Sequence, residues 1–210
     1  NASTDSASIA NFANTYGVLV YDGIDWRATV LNERPVVRQI KKNSKNQILV
    51  GYSRSFGELV SDKKGSIKYK EIARMPKGSP YGISELSNNQ YLITTFRNLI
   101  LLDGKQLEII NKEKVKIDRV NQVDGIHYLS LRGKGLFKYQ DKKLMQVRGT
   151  ENLKDKNESI IKVFKNKNKF FLATKRSGIF SLSGDKLIKL KYENILLNNT
   201  TIFSGIQLRN

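Results

Sequence analysis

The chain repeats one pattern of short apolar segments at nearly constant intervals. In each repeat, segments of alternating apolar and polar residues are separated by turns rich in Gly, Asn, Ser, Lys and Asp. The second segment of four successive repeats begins at Ile48, Tyr91, Tyr128 and Phe171, in steps of 43, 37 and 43 residues. Repeats of roughly 40 to 50 residues are typical of β-propellers, whose four-stranded blades cannot bury their apolar faces alone. We therefore predict an all-β propeller.

The apolar segments have the composition and the period of β-strands. They are enriched in Ile, Val, Tyr, Phe and Thr and alternate with a period of two, whereas the 3.6-residue period of an amphipathic helix is absent. Four whole repeats of this kind occupy residues 36 to 190.

The two ends of the chain complement each other in this scheme. Ile9–Ala13, Val18–Tyr21 and Trp26–Val30 are predicted as the outer three strands of a blade, and Thr200–Gln207 as an inner strand. A blade split between the termini would close a five-bladed ring; the alternative is an open arc of a larger propeller. We predict a flexible start at residues 1–8 and one propeller domain at 9–210, a fragment of a longer protein.

Composition limits the remaining possibilities. No apolar run reaches the ~18 residues of a membrane-spanning helix, and the small, polar first residues do not resemble a signal peptide. The absence of cysteine excludes disulfides and thiolate metal sites. We predict no cofactor and no metal.

The net charge is unusually high. With 37 Lys and Arg against 19 Asp and Glu, the chain carries +18 at pH 7. This charge favours an anionic partner, such as an acidic polysaccharide or nucleic acid. The alternative is that lysines decorate solvated turns, as Lys41-Lys42, Lys63-Lys64 and Lys142-Lys143 do in the predicted scheme.

Basic residues recur at one position of the repeat. An arginine follows the second strand of each whole repeat. Equivalent turns lie on the same rim of a propeller, so these arginines are predicted to form a cationic arc that binds anionic ligands, with aromatic side chains offering stacking faces for sugars. Chance placement in a basic protein remains the alternative. The predicted ligand-binding residues are Arg54, Arg97, Arg132, Lys134, Lys175, Arg176, Tyr52 and Phe96, and Phe56 lies beside the same turns.

Other distinctive residues suggest structural roles. Asp22-Gly23 suits a two-residue turn, and Trp26 is placed to pack on a blade face. Gly51 and Gly57 are expected at turn or bulge positions.

Catalysis has little support. His127, the only histidine, lies within a predicted strand and is expected to be packed. One histidine cannot supply a usual zinc site. A glycosidase pair of distant carboxylates would leave no local signature, so a polysaccharide-cleaving enzyme stays open as an alternative.

One region resembles a known family. Residues 12–26, FANTYGVLVYDGIDW, are followed by the segments VRQI at 37–40, ILVG at 48–51 and FGEL at 56–59. Up to about residue 72, this series resembles the periplasmic sensor propellers of Bacteroidetes two-component regulators. Beyond that point only the general repeat pattern matches.

The resemblance implies a function for the chain. It implies a periplasmic, non-enzymatic ligand-sensing part of a membrane-anchored receptor, often for a carbohydrate, with histidine kinase activity elsewhere in the full-length protein. Family propellers usually have seven blades, and the remainder of the receptor and a second copy are the implied partners. The basic turns differ from the family's small, Gly-rich turns and favour an anionic over a neutral sugar. A nucleic-acid, other polyanion or protein-interaction propeller ranks second and an enzyme third.

Overall fold

The computed structural model describes residues 2–4, 9–31, 36–63, 65–87, 89–111, 116–153, 158–167, 169–191 and 201–205. Within these residues the chain forms twenty strands, one 3-10 turn at Thr150–Asn152 and no α-helix. The predicted all-β class is therefore confirmed. In the same part of the chain, no helix combines the length and hydropathy needed to span a membrane.

The strands form five antiparallel sheets of four, each a meander in chain order. The first sheet contains β1 (Ala2–Thr4), β2 (Ala10–Asn14), β3 (Gly17–Tyr21) and β4 (Trp26–Val30). The second contains β5 (Val37–Lys42), β6 (Ile48–Tyr52), β7 (Ser55–Ser61) and β8 (Ile67–Arg74). The third contains β9 (Gly82–Ser87), β10 (Gln90–Thr94), β11 (Leu99–Asp103) and β12 (Gln106–Ile109). The fourth contains β13 (Ile117–Val123), β14 (Ile126–Leu131), β15 (Gly135–Gln140) and β16 (Lys143–Gln146). The fifth contains β17 (Ile160–Asn166), β18 (Lys169–Thr174), β19 (Ile179–Ser183) and β20 (Lys186–Lys189).

The sheets belong to two compact units. Unit 1, Asn1–Ile110, contains the first three sheets, and unit 2, Asn111–Asn210, contains the fourth and fifth. Each sheet has the size and order of a propeller blade, as the repeat predicts. The ring or arc arrangement of the blades stays a prediction.

Apolar residues between neighbouring sheets form the core of each unit. In unit 1 one cluster joins the first and second sheets and another joins the second and third; in unit 2 a further cluster joins the fourth and fifth. Successive side chains of a strand point to opposite faces of its sheet. The apolar side chains on the face towards a neighbouring sheet of the same unit therefore pack against that sheet. Phe56, for example, is fully buried against Tyr91 of the next sheet, with 5.3 Å between the ring centroids.

The repeat is also visible in polar contacts between neighbouring sheets. Ser44 donates from its amide and hydroxyl to Glu85, Lys165 donates to Asp124, and Ser159 donates to Asp118. The partners in each pair are 41 residues apart. A shift in strand register occurs near the start of β5, β13 and β17 alike. The same fold is thus built repeatedly, including its irregularities.

The predicted split blade is wrong. The inner strand of the first sheet is Ala2–Thr4, which pairs with Ala10–Asn14, so this sheet takes all four strands from the N-terminal segment. These three small residues carry no apolar alternation that sequence reasoning could detect. Residues 201–205 of the predicted C-terminal strand form no strand, and residues 200, 206 and 207 lie outside the described part. Of the predicted flexible start, residues 1 and 5–8 also lie outside it.

One turn differs from the prediction. Tyr21 pairs with Trp26, so the loop at Asp22 has four residues instead of two. Asp22 stabilises this loop because its carboxylate accepts the amides of Ile24 and Asp25.

Candidate functional site

Arg54, the first predicted ligand-binding arginine, binds the main chain of its own unit. It lies in a two-residue turn between β6 and β7, since Tyr52 pairs with Ser55. Its Nε donates to the carbonyl of Met75 at 3.1 Å and its Nη2 to that of Pro76 at 2.7 Å. The guanidinium thus fixes the link between the second and third sheets.

Phe96 and Arg97 lie in the corresponding turn of the third sheet. The turn is closed by a hydrogen bond from the Thr95 amide to the Asn98 carbonyl at 2.9 Å. Phe96 is half exposed, and the guanidinium carbon of Arg97 lies 6.0 Å from the centroid of its ring. This pair is therefore accessible to a ligand.

The other predicted aromatic residues are packed. The Tyr52 ring meets Tyr69 edge to face at 4.8 Å, and the fully buried Phe56 belongs to the core. The expectation of a stacking face at Phe56 is therefore wrong, because its strand begins at Ser55 and turns that side chain inward.

In unit 2, Arg132 forms a bidentate ion pair with Asp118. Its Nε and Nη2 donate to the two carboxylate oxygens at 3.1 and 2.5 Å. Asp118 is 5% exposed, and its Oδ2 also accepts the hydroxyl of Ser159 in the next sheet at 2.7 Å. Three donors therefore hold Asp118, and Asp118 in turn fixes the direction of Arg132.

The counterpart of Arg132 in the fifth sheet is Lys175, not Arg176. The amide of Arg132 donates to the carbonyl of Lys116, and the amide of Lys175 donates in the same way to Ser159. Both residues are the first of a turn, whereas Arg54 and Arg97 are each the second residue of a shorter turn. The four arginines thus occupy different positions in the repeat, because the turns differ in length.

Arg176 and Lys134 are exposed turn residues in unit 2. The buried carboxylate of Glu158 accepts the amides of Arg176 and Ser177 at 3.1 and 2.8 Å and also binds the Ser177 hydroxyl. This carboxylate shapes the turn that carries Lys175. The carbonyl of Lys134 accepts the side-chain amide of Gln146 at 2.7 Å.

Around Arg132 the structure gathers basic residues that the sequence pattern did not single out. Arg119 donates from Nη1 to the carbonyl of Asp118 at 2.8 Å, and Lys116 adjoins Arg132 through the main-chain bond. We name Lys116, Arg119, Arg132 and Lys175 the unit 2 cationic cluster. Lys116 and Arg119 could have been found from the antiparallel pairing of Ile117 with Leu131, which places the start of β13 beside the basic turn.

The positive charges of the cluster affect the pKa of Lys116. Loss of hydration lowers the pKa of its ammonium group, and the positive charge of Arg132 lowers that pKa further. Lys175 and Arg119 act in the same direction, while Asp118 opposes them. The four cations are therefore close enough to interact, and an anion bound there would relieve the repulsion.

An aromatic side chain adjoins the cluster. The amide of Ile202 donates to the carbonyl of Lys175 at 2.8 Å, which places residues 201–205 beside the turn. Phe203 is 71% exposed, and the Lys175 Nζ lies 6.0 Å from its ring centroid. Sequence reasoning included Phe203 only in a predicted strand and missed this position.

Of the residues predicted to be structural, Gly51 and Gly57 occupy crowded positions, whereas Gly23 and Trp26 are exposed. A Cβ on Gly51 would lie 2.8 Å from the Pro80 side chain, and Gly57 lies at a register shift between β7 and β8. Gly23 has a φ of +98° in the four-residue loop. The Trp26 ring stacks on Tyr21 at 4.6 Å yet is 55% exposed.

The structure also places the histidine considered for catalysis. His127 is buried within β14. Among the described side chains, no group of three or more His, Asp or Glu residues is arranged to hold a metal ion. The predicted single arc of arginines includes residues of both units and stays a prediction. The unit 2 cationic cluster is defined by contacts within unit 2 alone.

Comparison with known proteins gives the fold a context. No family model matches the chain, and no curated protein matches it. Among solved structures, the extracellular domain of BT3049, assigned to a hybrid two-component system of Bacteroides thetaiotaomicron, matches with a TM-score of 0.67 at 15% identity, over 97% of this chain and 29% of that one. The BT4673 extracellular domain from the same organism matches with a TM-score of 0.51 at 14% identity, over 95% and 34%.

An enzyme shares the same fold. Virginiamycin B lyase from Staphylococcus aureus matches with a TM-score of 0.67 at 10% identity, over 92% of this chain and 70% of that one. This chain spans less than a third of the BT3049 extracellular domain. At these identities the likeness shows the fold, and the predicted resemblance to Bacteroidetes two-component sensor domains is confirmed at that level.

Proposed function

We propose that this chain is a non-enzymatic, extracytoplasmic ligand-sensing module of a two-component receptor, and that its ligand is an anionic carbohydrate. The fold shared with extracellular domains of two-component proteins supports the sensing role and the location. The remainder of the receptor chain and a second receptor copy are its proposed partners.

The unit 2 cationic cluster is the observation that supports an anionic ligand. It contains four basic residues and one buried carboxylate, that of Asp118, which is already held by Arg132 and Ser159. Excess positive charge on a small, fixed surface attracts anions more strongly than scattered lysines do. Burial of the only histidine in β14 favours binding over catalysis.

Binding to an oligosaccharide panel tests this proposal. Neutral, uronic-acid and sulfated oligosaccharides would be compared with single-stranded DNA of matched charge, at physiological salt, by calorimetry with the 210-residue chain. We expect saturable binding of anionic saccharides and weaker binding of DNA and neutral sugars.

Two results would count against the proposal. Equal or tighter binding of DNA, with affinity that falls steeply as salt rises, would favour the polyanion alternative. Release of shorter sugars from the panel would show that the chain is an enzyme.

A further inference from the structure

The charge balance of the unit 2 cationic cluster leaves a net positive surface. The four basic side chains of the cluster and the carboxylate of Asp118, which Arg132 binds, together carry a charge of about +3. The neighbouring carboxylate of Glu158 accepts main-chain amides of Ser159, Arg176 and Ser177. These neutral donors do not cancel its charge, so the local charge is about +2 when Glu158 is counted. Both carboxylates thus act as parts of the scaffold.

The orientation of Arg132 bears on which anion fits. A planar carboxylate is bound best by two parallel N–H groups of one guanidinium. The side-on edge of Arg132, formed by Nε and Nη2, already carries Asp118. The distal edge of Arg132, formed by Nη1 and the second N–H of Nη2, still offers two parallel donors to an incoming anion. A carboxylate is satisfied by that edge alone, whereas a sulfate ester has a third terminal oxygen that the ammonium groups of Lys116 and Lys175 can also bind.

Phe203 adds a surface for the sugar itself. Its ring is largely exposed and lies beside the Lys175 ammonium, and the main-chain bond from Ile202 to Lys175 holds its segment next to the cluster. Aromatic faces stack on the C–H face of a pyranose, so an anionic group on the cations and a ring on Phe203 can be bound together.

From these contacts we infer that the unit 2 cationic cluster binds a sulfated saccharide, with Lys116, Arg132 and Lys175 on the sulfate ester and Phe203 against the sugar ring. This inference rests on the proposed function and narrows it, because it distinguishes sulfate from carboxylate as the recognised group.

Calorimetry on the whole chain tests the preference for sulfate. The probes are a chondroitin sulfate tetrasaccharide, the same tetrasaccharide after removal of sulfate, which keeps its uronic carboxylates, and inorganic sulfate. We expect removal of sulfate to weaken binding at least tenfold. Similar affinity for both tetrasaccharides would overturn the preference for sulfate but would leave the proposed anionic-sugar sensor intact. If no saccharide in the wider panel binds, both the preference for sulfate and the proposed function are wrong.

Matched variants locate the site. Lys175→Gln is expected to weaken binding of the sulfated tetrasaccharide at least fivefold, whereas Lys189→Gln, which removes the same charge from an exposed residue of β20, should change it less than twofold. Equal losses of affinity in the two variants would show that only the overall charge matters and that the proposed location of the site is wrong.

A further variant separates the two parts of the ligand. Phe203→Ala is expected to weaken binding of the sulfated tetrasaccharide at least threefold and to leave binding of inorganic sulfate unchanged. Because Phe203 is exposed, its replacement should not affect folding, and the thermal transition of each variant checks this. An unchanged tetrasaccharide affinity would remove Phe203 from the site.

Discussion

At the residue scale, Asp118 links two neighbouring sheets of unit 2. It accepts hydrogen bonds from Arg132 in its own sheet and from Ser159 in the next, so one buried carboxylate joins a turn to a neighbouring blade. Removal of a buried charge partner leaves the remaining charge without compensation, which costs more than the pair itself contributes.

We expect Asp118→Ala to lower the free energy of unfolding by about 2 to 4 kcal/mol, because it leaves the partly buried Arg132 and the Ser159 hydroxyl without their acceptor. Urea denaturation measures the change. The matched control is Asp185→Ala: Asp185 is exposed and 3.8 Å from Arg148, so its loss should cost less than about 0.5 kcal/mol. Comparable losses in both variants would contradict the structural role of Asp118.

The basic character of the candidate site could be predicted from sequence, but its geometry could not. The prediction included Arg132 and Lys175, which the structure places at equivalent positions in adjacent sheets. It grouped Arg54 with them, although a shorter turn directs that guanidinium to the carbonyls of Met75 and Pro76. Turn length sets the direction of these side chains, and spacing along the chain does not reveal it.

At the scale of a single element, strand β7 depends on a glycine. A Cβ on Gly57 would lie 2.2 Å from the carbonyl oxygen of Lys70 and 2.6 Å from the ring of Tyr69. The position also coincides with the shift in register between β7 and β8. The close approach of two strands here therefore requires a residue without a side chain.

We expect Gly57→Ala to destabilise the chain by more than about 2 kcal/mol, because the strands must separate to admit a methyl group. The control is Gly104→Ala. Gly104 has a φ of +58° but open space around it, so only the backbone penalty of about 1 kcal/mol applies. Denaturation midpoints compare the two variants. A smaller effect at Gly57 than at Gly104 would show that this strand pair adjusts easily.

The sequence predicts a strand where the alternation of apolar and polar residues is long enough to recognise. It does not predict a strand that is short and lacks this alternation. The position of β10 follows from the alternation that begins at Tyr91, and the structure starts that strand at Gln90. The inner strand β1 consists of Ala, Ser and Thr, which carry no such pattern. Its three residues are held by pairing with β2, a tertiary contact that no local pattern encodes.

At the scale of the whole molecule, each unit contains apolar clusters between its own sheets. The apolar clusters around the second sheet lie in unit 1, and the cluster between the fourth and fifth sheets lies in unit 2. The repeat interval predicted four-stranded blades and their order along the chain. The ligand was not predictable to the same degree, because it depends on side-chain directions in turns.

Because the contacts described for Gly57 lie in unit 1 and those described for Asp118 lie in unit 2, we expect their substitutions to act independently. We expect the double variant Gly57→Ala/Asp118→Ala to lose the sum of the two single losses to within about 0.5 kcal/mol. Urea denaturation of the four proteins forms the complete cycle. A larger deviation from additivity would show that the units stabilise each other strongly.

The constant 41-residue separation between partners such as Asp124 and Lys165 has an evolutionary consequence. A gene duplication that copies two neighbouring repeats also copies both members of each such bond at the correct distance. A lineage can therefore lengthen a protein of this kind by pairs of repeats without leaving an ionic or hydroxyl group unmatched, whereas the insertion of part of a repeat would break these bonds.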